Sequence, residues 1–479
     1  MKASNIFSLS ALTLAVALTG CGGGSDSSPA SSPVVGGGGG NGDSDNRVSP
    51  LEVLAPTVMD KVTIAAKVSR PDVAISDNGK ALAVWAEEMN GILRLVAVEG
   101  DAETNEWGAK TVLDDGHGLY APNDAWLYAR VIMDAEGNGV IGWTQNVVGS
   151  DAQHLKTISY SPETGFDVPV DHGEAKTFTL TGNDAGEAIV VWESEYDYPR
   201  LDLIAAVKHT GSTGWEPAEN LTGGSVTGEY VSPYALQHAE LHMNESGEAT
   251  LLYKGYGQVV EGETLKLQTQ NLNSEGQWSW PETLVEGAAI KDTKQFAASI
   301  SEQGVRFSGW VHAAADEYEV LGVTTNDMVQ GDPVSYAATD SGMIRLAAHY
   351  RTDGSLVVGA EGKVNSALYP LITFEVSGET VSHGVFAHGG RHLTMASDGD
   401  RVVALGLNDC GQGNLGVRES LESGQSMSNA KCATGNAGQD TTMAITPDRA
   451  GVFAGVGYVR DESTFPSTKH DTIELTFFR

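Results

Sequence analysis

Cysteine is nearly missing from this 479-residue chain: three occur, Cys21, Cys410 and Cys432. So few exclude a small disulfide-framed domain. No C-x-x-C pair or histidine at ligand spacing accompanies them, so no metal and no cofactor is expected. Basic residues are also scarce, 29 against 63 acidic, for a formal net charge of −34. A surface this acidic repels nucleic acid and anionic lipid in general, so neither is expected as a broad partner. Past the N-terminus no apolar run is long enough to cross a bilayer, and no segment carries helical periodicity. A Gly-x-Ser-x-Gly elbow is lacking, and none of the Asp-rich turns completes an EF-hand loop.

What is present begins at the N-terminus. Lys2 supplies one positive charge, and residues 6–18 form a short uncharged apolar run. That is a signal-peptide core, too short for a permanent membrane helix. Leu18, Thr19, Gly20 and Cys21 follow directly and resemble the lipobox of bacterial exported lipoproteins. The resemblance implies a signal peptide over residues 1–20 and acyl lipid, palmitate included, on Cys21. Gly22 in place of Asp implies sorting to the outer membrane of the cell envelope, facing either the periplasm or the medium. Residues 21–50 are Gly, Ser, Pro, Asn and Asp with little that is large and apolar. Such a segment buries too little surface to fold and spans on the order of 30 Å as a flexible coil. Residues 51–479 are then left to fold. Without Lys2 the mature chain has 28 basic residues against 63 acidic, a formal charge of −35.

That remainder contains one pattern eight times: an apolar strand, a polar turn rich in Asp, Asn, Ser and Gly, then a second apolar strand. The first turn residues are Ser76, Asp134, Asn183, Asn244, Ser301, Arg351, Ser397 and Thr446. Nine places on stand Trp85, Trp143, Trp192, Tyr253, Trp310, Ala360, Gly406 and Gly455, five of them aromatic. The copies are 46 to 61 residues apart, the length of one four-stranded propeller blade with variable loops. Fold class is therefore all-β: a β-propeller of eight blades, with seven as the runner-up because the seventh copy is irregular around Cys410 and Cys432. The last copy lacks a fourth strand, which residues 61–66 are expected to supply, so that an N-terminal strand closes the ring and removes exposed sheet edges. The repeats resemble those of β-propeller domains in bacterial exported lipoproteins, a likeness that implies a fold and no reaction. The sialidase Asp-box is not met, because the Trp stands too far from the turn and no Thr precedes it.

Six places before each turn stand Arg70, Tyr128, Thr177, His238, Gln295, Arg345, Arg391 and Asp440, a polar column expected to line one mouth of the channel. Arg130, Lys176 and Lys294 lie within two residues of it, as His392 does beside Arg391. Arginine grips a carboxylate or sulfate with two hydrogen bonds, so Arg70, Tyr128, Arg130, His238, Arg345, Arg391 and His392 are the ligand-binding candidates. The plainer alternative is that they solvate the mouth and pair with Asp72, Glu240 and Asp440. Three histidines, His383, His388 and His392, stand close together, but no carboxylate is interleaved and the stretch reads as a fourth strand and its loop. Cys410 and Cys432 are expected to form a disulfide in an oxidising compartment, contributing about 3 kcal/mol.

Two functions stay open. One is a binding or scaffolding module, lipid-anchored at Cys21, for a protein or an anionic glycan. The other is a lyase or hydrolase acting on an acidic polysaccharide, with a tyrosine such as Tyr120 or Tyr128 as acid or base. No catalytic residue is singled out.

Overall fold

A computed structural model describes residues 51–62, 71–89, 92–114, 129–146, 152–197, 200–222, 230–231, 236, 239–256, 265–286, 296–314, 317–326, 329–331, 333–339, 343–362, 371–377, 380–386, 391–398, 401–407, 415–419, 431–432, 442–445, 451–461 and 468–479. The expected signal peptide, Cys21 and the tether lie outside them. The described residues contain no α-helix, and their strands pair antiparallel throughout, in seven sheets of four, five or nine strands.

Each sheet is built on meanders that follow the chain, except that an N-terminal strand joins the last one. In the first, Asp72–Ile75 pairs with Lys80–Met89, which pairs with Ile92–Asp101. The first strands of the later units are Ala129–Met133, Phe178–Gly182, Glu240–Met243, Phe296–Ile300, Met343–Tyr350, Arg391–Asp398 and Thr442–Ile445. The nine-stranded sheet holds the third and fourth units. The two-residue strand Tyr230–Val231 joins them, pairing with Leu201 on one side and with Tyr256 and Gly255 on the other.

Each first strand contacts that of the next unit, and Thr442–Ile445 contacts Asp72–Ile75, so the succession of contacts returns to its start. The cores lie between successive meanders. Leu82, Val84 and Leu95 of the first unit pack on Val131, Ile141 and Trp143 of the second. Val140 and Leu155 pack on Phe178, Val190 and Trp192 of the third. Val452, Ile473, Leu475 and Phe477 of the last unit pack on Val73, Ala83 and Val96 of the first. A strand covered on both faces needs apolar side chains at every position, which is why 81–86, Ala-Leu-Ala-Val-Trp-Ala, are all buried. The aromatic column belongs to these cores: Trp85, Trp143, Trp192, Tyr253 and Trp310 are all buried. Each such side chain contributes roughly 1.5–3 kcal/mol.

The N-terminal strand lies earlier than the sequence suggests. Thr57–Val62 pairs with the final strand, Thr468–Phe478, with a bulge between Met59 and Lys61. Of the stretch expected to form it, residues 61–66, Lys61 and Val62 end this strand and the rest lies outside the described residues. The pairing is placed by an earlier clamp: Glu52 and Arg479 exchange backbone hydrogen bonds of 2.7 and 2.9 Å, and the Leu54 N–H donates to Phe477 O. Leu51 is buried against Phe453 and Phe478, and Met59 packs on the core beside Phe477.

Candidate ligand site along the first strands

Polar turns begin at six of the eight anchors in one hydrogen-bonded form. The anchor N–H donates to the carbonyl four residues on, and the N–H three residues on donates back to the anchor carbonyl. This holds at Ser76, Asp134, Asn183, Asn244, Ser301 and Arg351. The third residue after each anchor is a glycine with positive φ, as at Gly247 (φ 79°), where an added Cβ would also stand 2.5 Å from Glu187 Oε2 of the preceding unit. Ser397 differs, since Asp398 pairs with Arg401 across a shorter connection, and Thr446 lies outside the described residues.

Neighbouring turns are tied to one another. Asn78 Nδ2 donates to Glu136 O, the Ala135 N–H to Asp184 O, Asn183 Nδ2 to Asn244 O, and Asn244 Nδ2 to Ser301 O. Carboxylates accept the remaining turn amides: Glu245 those of Asp184 and Ala185, Glu302 that of Glu245. The Asp184 side chain still reaches solvent, yet partial burial and then Glu245, Asp77, Glu302 and Asp134 around it push its carboxyl up to about 6. Burial and Glu302 likewise raise that of Glu245. A cleft of about 480 Å³ opens at this end between the second and third units, walled by Asp134, Asp184, Glu187, Tyr160 and Lys208.

Farther from the turn, the first strands carry a different set. Four residues before the anchors stand Asp72, Arg130, Thr179 and Glu240, and two before stand Thr181, His242, Ser299 and His349. Asp72 Oδ2 accepts the Val131 N–H, and Ser299 Oγ accepts the Tyr350 N–H, so these side chains reach the next unit's first strand. Burial raises the Asp72 carboxyl, opposed by Arg130 and by the Val131 and Val73 amides. Arg130 is more than a third exposed, with Nη1 3.9 Å from Asp72 Oδ1. His242 Nε2 lies 3.1 Å from Glu240 Oε2, and the His242 and His349 rings meet at 84° with centroids 6.1 Å apart. The first strands of units four and six thus bring two imidazoles together with a carboxylate.

Of the sequence candidates, Arg130 joins this set, and its partner is the expected Asp72. Thr177 is buried, with its Oγ1 lacking a hydrogen-bond partner among the described residues. Arg345, Arg391 and His392 lie on first strands, and their side chains are outside the described residues, as are Arg70, Tyr120, Tyr128, His238, Lys294, Gln295, His388, Cys410 and Asp440. His383 sits in the fourth strand Thr380–Phe386, paired with Phe374. Among the described residues no three His, Cys, Asp or Glu side chains converge as metal ligands. His242 and His349 were not among the sequence candidates. The column two before each anchor carried their signal, in four polar residues where the flanking columns are mostly apolar.

Charged side chains are also buried near the far ends of the second strands. Glu87 takes Arg94 at 2.7 Å and Lys110 at 2.9 Å, and Glu193 Oε1 accepts the Leu236 N–H. Their pairing makes them structural. His172 rests between Trp192 and Trp215, with Nε2 2.8 Å from Thr157 Oγ1. Burial there lowers its imidazole to about 4, against a weaker upward pull from Asp171.

No protein-family model matches the chain, and no curated protein sequence matches it. Solved structures resemble it distantly. The Dos1 propeller is 10% identical over 88% of this chain and 94% of its own, with a TM-score of 0.48. The β-propeller domain of the Trilobed protease from Pyrococcus furiosus is 9% identical over 74% and 95%, with a TM-score of 0.42. The polysaccharide lyase Uly1 is 11% identical over 71% and 87%, also at 0.42.

Proposed function

We propose that the chain is a lipid-anchored binding module: an eight-bladed β-propeller, closed by its N-terminal strand, that engages an anionic glycan or an acidic protein segment at the channel mouth where its first strands begin. The observation that carries this reading is Arg130, near the start of its first strand, more than a third exposed and 3.9 Å from its carboxylate, in a chain with a net charge of −34. Cations so scarce overall, with an arginine only loosely held by its carboxylate, favour a ligand that brings negative charge of its own. By sequence register, Arg70, Arg345 and Arg391, six places before their anchors, complete the rim in this reading.

Cys21 carries the lipid in this reading, and residues 21–50 hold the domain away from an outer membrane. The lipobox and the composition of the tether support that placement. Cys410 pairs with Cys432. What supports the pairing is that the remaining cysteine of the sequence, Cys21, is assigned to lipid in this reading.

A second reading, cleavage of an acidic polysaccharide, draws on the 3.1 Å contact between Glu240 and His242, a carboxylate orienting an imidazole in the manner of a general base. One experiment separates the two. Replacing Arg70, Arg345 and Arg391 together by Ala is expected to abolish retention on an array of acidic glycans while leaving the melting temperature nearly unchanged. Retention that survives the triple change refutes the rim. New reducing ends or unsaturated-uronate absorbance after incubation with the native chain would select the enzyme.

A further inference from the structure

The geometry points to the outermost strand of the sixth unit, Thr380–Phe386, as the surface where a second copy of this chain adds on, edge to edge and antiparallel across a two-fold axis. The inference is independent of the channel-mouth reading, since it concerns the outer rim of one sheet.

An outermost strand leaves alternate backbone N–H and C=O groups unpaired by its own sheet, a ready template for another chain. Most units blunt that edge with one extra residue that breaks the register of the outermost strand. The extra residues are Leu113 in Thr111–Asp114, His172 in Val170–Glu174, Leu284 in Glu282–Glu286 and Tyr336 in Val334–Thr339, with Asp60 in the N-terminal strand that borders the last unit. Such bulges bend and twist a strand away from a flat partner. In the third and seventh units the outermost strands, Glu219–Asn220 and Lys431–Cys432, are two residues long and offer little to pair with.

The sixth unit does neither. All seven residues of Thr380–Phe386 pair without a break with Leu371–Ser377, and among the described residues no strand pairs with their other side. Ser377 pairs with Thr380 across a two-residue connection, which makes them the hydrogen-bonded pair that closes the hairpin. Thr380, Ser382, Gly384 and Phe386 then direct their backbone groups to the third strand, and Val381, His383 and Val385 direct theirs outward. Charge and register select the occupant. Two copies of a chain with net charge −34 repel over most of their surfaces. Thr380–Phe386 contains no Asp, Glu, Lys or Arg, whereas Thr111–Asp114, Val170–Glu174 and Glu282–Glu286 all carry acids; Val334–Thr339 is uncharged but bulged. The strand is also complementary to itself. Antiparallel pairing centred on His383 sets Val381 opposite Val385 of the second copy, a favourable β-branched pair, and brings every outward N–H to an outward C=O. The same patch then serves both copies, as a two-fold interface requires.

The test is sedimentation velocity of the full chain, with hydrogen exchange read over residues 380–386. A dimer is expected, and in it the amides of Val381, His383 and Val385 should exchange at least about tenfold more slowly than in the chain diluted to monomer. His383→Pro removes an outward donor that its own sheet does not use. It is expected to raise the Kd of the dimer at least about tenfold while leaving the melting temperature nearly unchanged. A monomer at every concentration up to about 100 µM overturns the inference. So does a dimer in which exchange over 380–386 is unchanged by dilution, because its contact then lies elsewhere or that edge is covered within one chain. A dimer undiminished by His383→Pro overturns it as well. The exchange comparison uses the native chain, so it decides the matter even if the proline variant does not fold.

Discussion

The two ends of the first strands contrast in charge and in how that charge is held. At the turn end, carboxylates are spent on backbone amides: Glu245 and Glu302 accept N–H groups from adjoining turns, and Asp134 Oδ1 accepts those of Glu136 and Asn138. Towards the far end, Arg130 meets its carboxylate at 3.9 Å, and between it and the turns, two places before the anchors, two imidazoles meet. The turn end uses its polar groups to tie the units together; farther along, Asp72 and Ser299 also reach the next strand while Arg130 stays partly exposed. In an acidic protein this sets a structural role apart from the recognition role proposed above.

The contrast can be broken most forcefully at Asn244, whose buried side chain donates to Ser301 O and accepts from the Ser246 and Glu248 amides. Asn244→Ala strands these groups and is expected to cost about 2–3 kcal/mol in urea unfolding. An unchanged midpoint would show that the turns do not depend on one another. A smaller effect is expected at His172. Its imidazole is depressed to about 4, so the unfolded chain takes the proton first and stability is lost as pH falls from about 6.5 towards 4. His172→Leu should therefore lose less melting temperature than the native chain between pH 7 and 4.5; parallel curves would rule out this origin of acid sensitivity. The smallest is Asp184→Asn. The native carboxyl, raised to about 6, favours the folded state as pH falls through 6 and opposes it above. Solvent screens this exposed group, so the variant should gain only about 1–2 °C at pH 8 and nothing near pH 4 by scanning calorimetry.

Much of this was legible in the sequence where periodicity carried it. The Trp85, Trp143, Trp192, Tyr253 and Trp310 column marked positions that all prove buried, because a strand packed on both faces constrains the same place in every unit. The turns were legible for a related reason, since one glycine with positive φ recurs three places after six anchors. What joins the units was not. The bond from Asn183 to Asn244 O spans 61 residues, and nothing in either local pattern announces it. Tyr230–Val231 is too short to show alternation. His242 and His349 were not legible because the column two before each anchor mixes Ala74 and Ile132 with the polar residues.

The clamp at Glu52 and Arg479 has a mechanical consequence. Tension arriving along the chain from residues before 51 reaches that pair of backbone bonds first, then the Leu54 bond to Phe477, and only afterwards the ladder of Thr57–Val62 on the final strand. Because the two segments run antiparallel, with Glu52 opposite the last residue, a pull directed away from the sheet peels these contacts singly, whereas a pull along the strand loads them all at once. The direction of traction therefore decides whether the seam between the chain's two ends is its weakest line or one of its strongest.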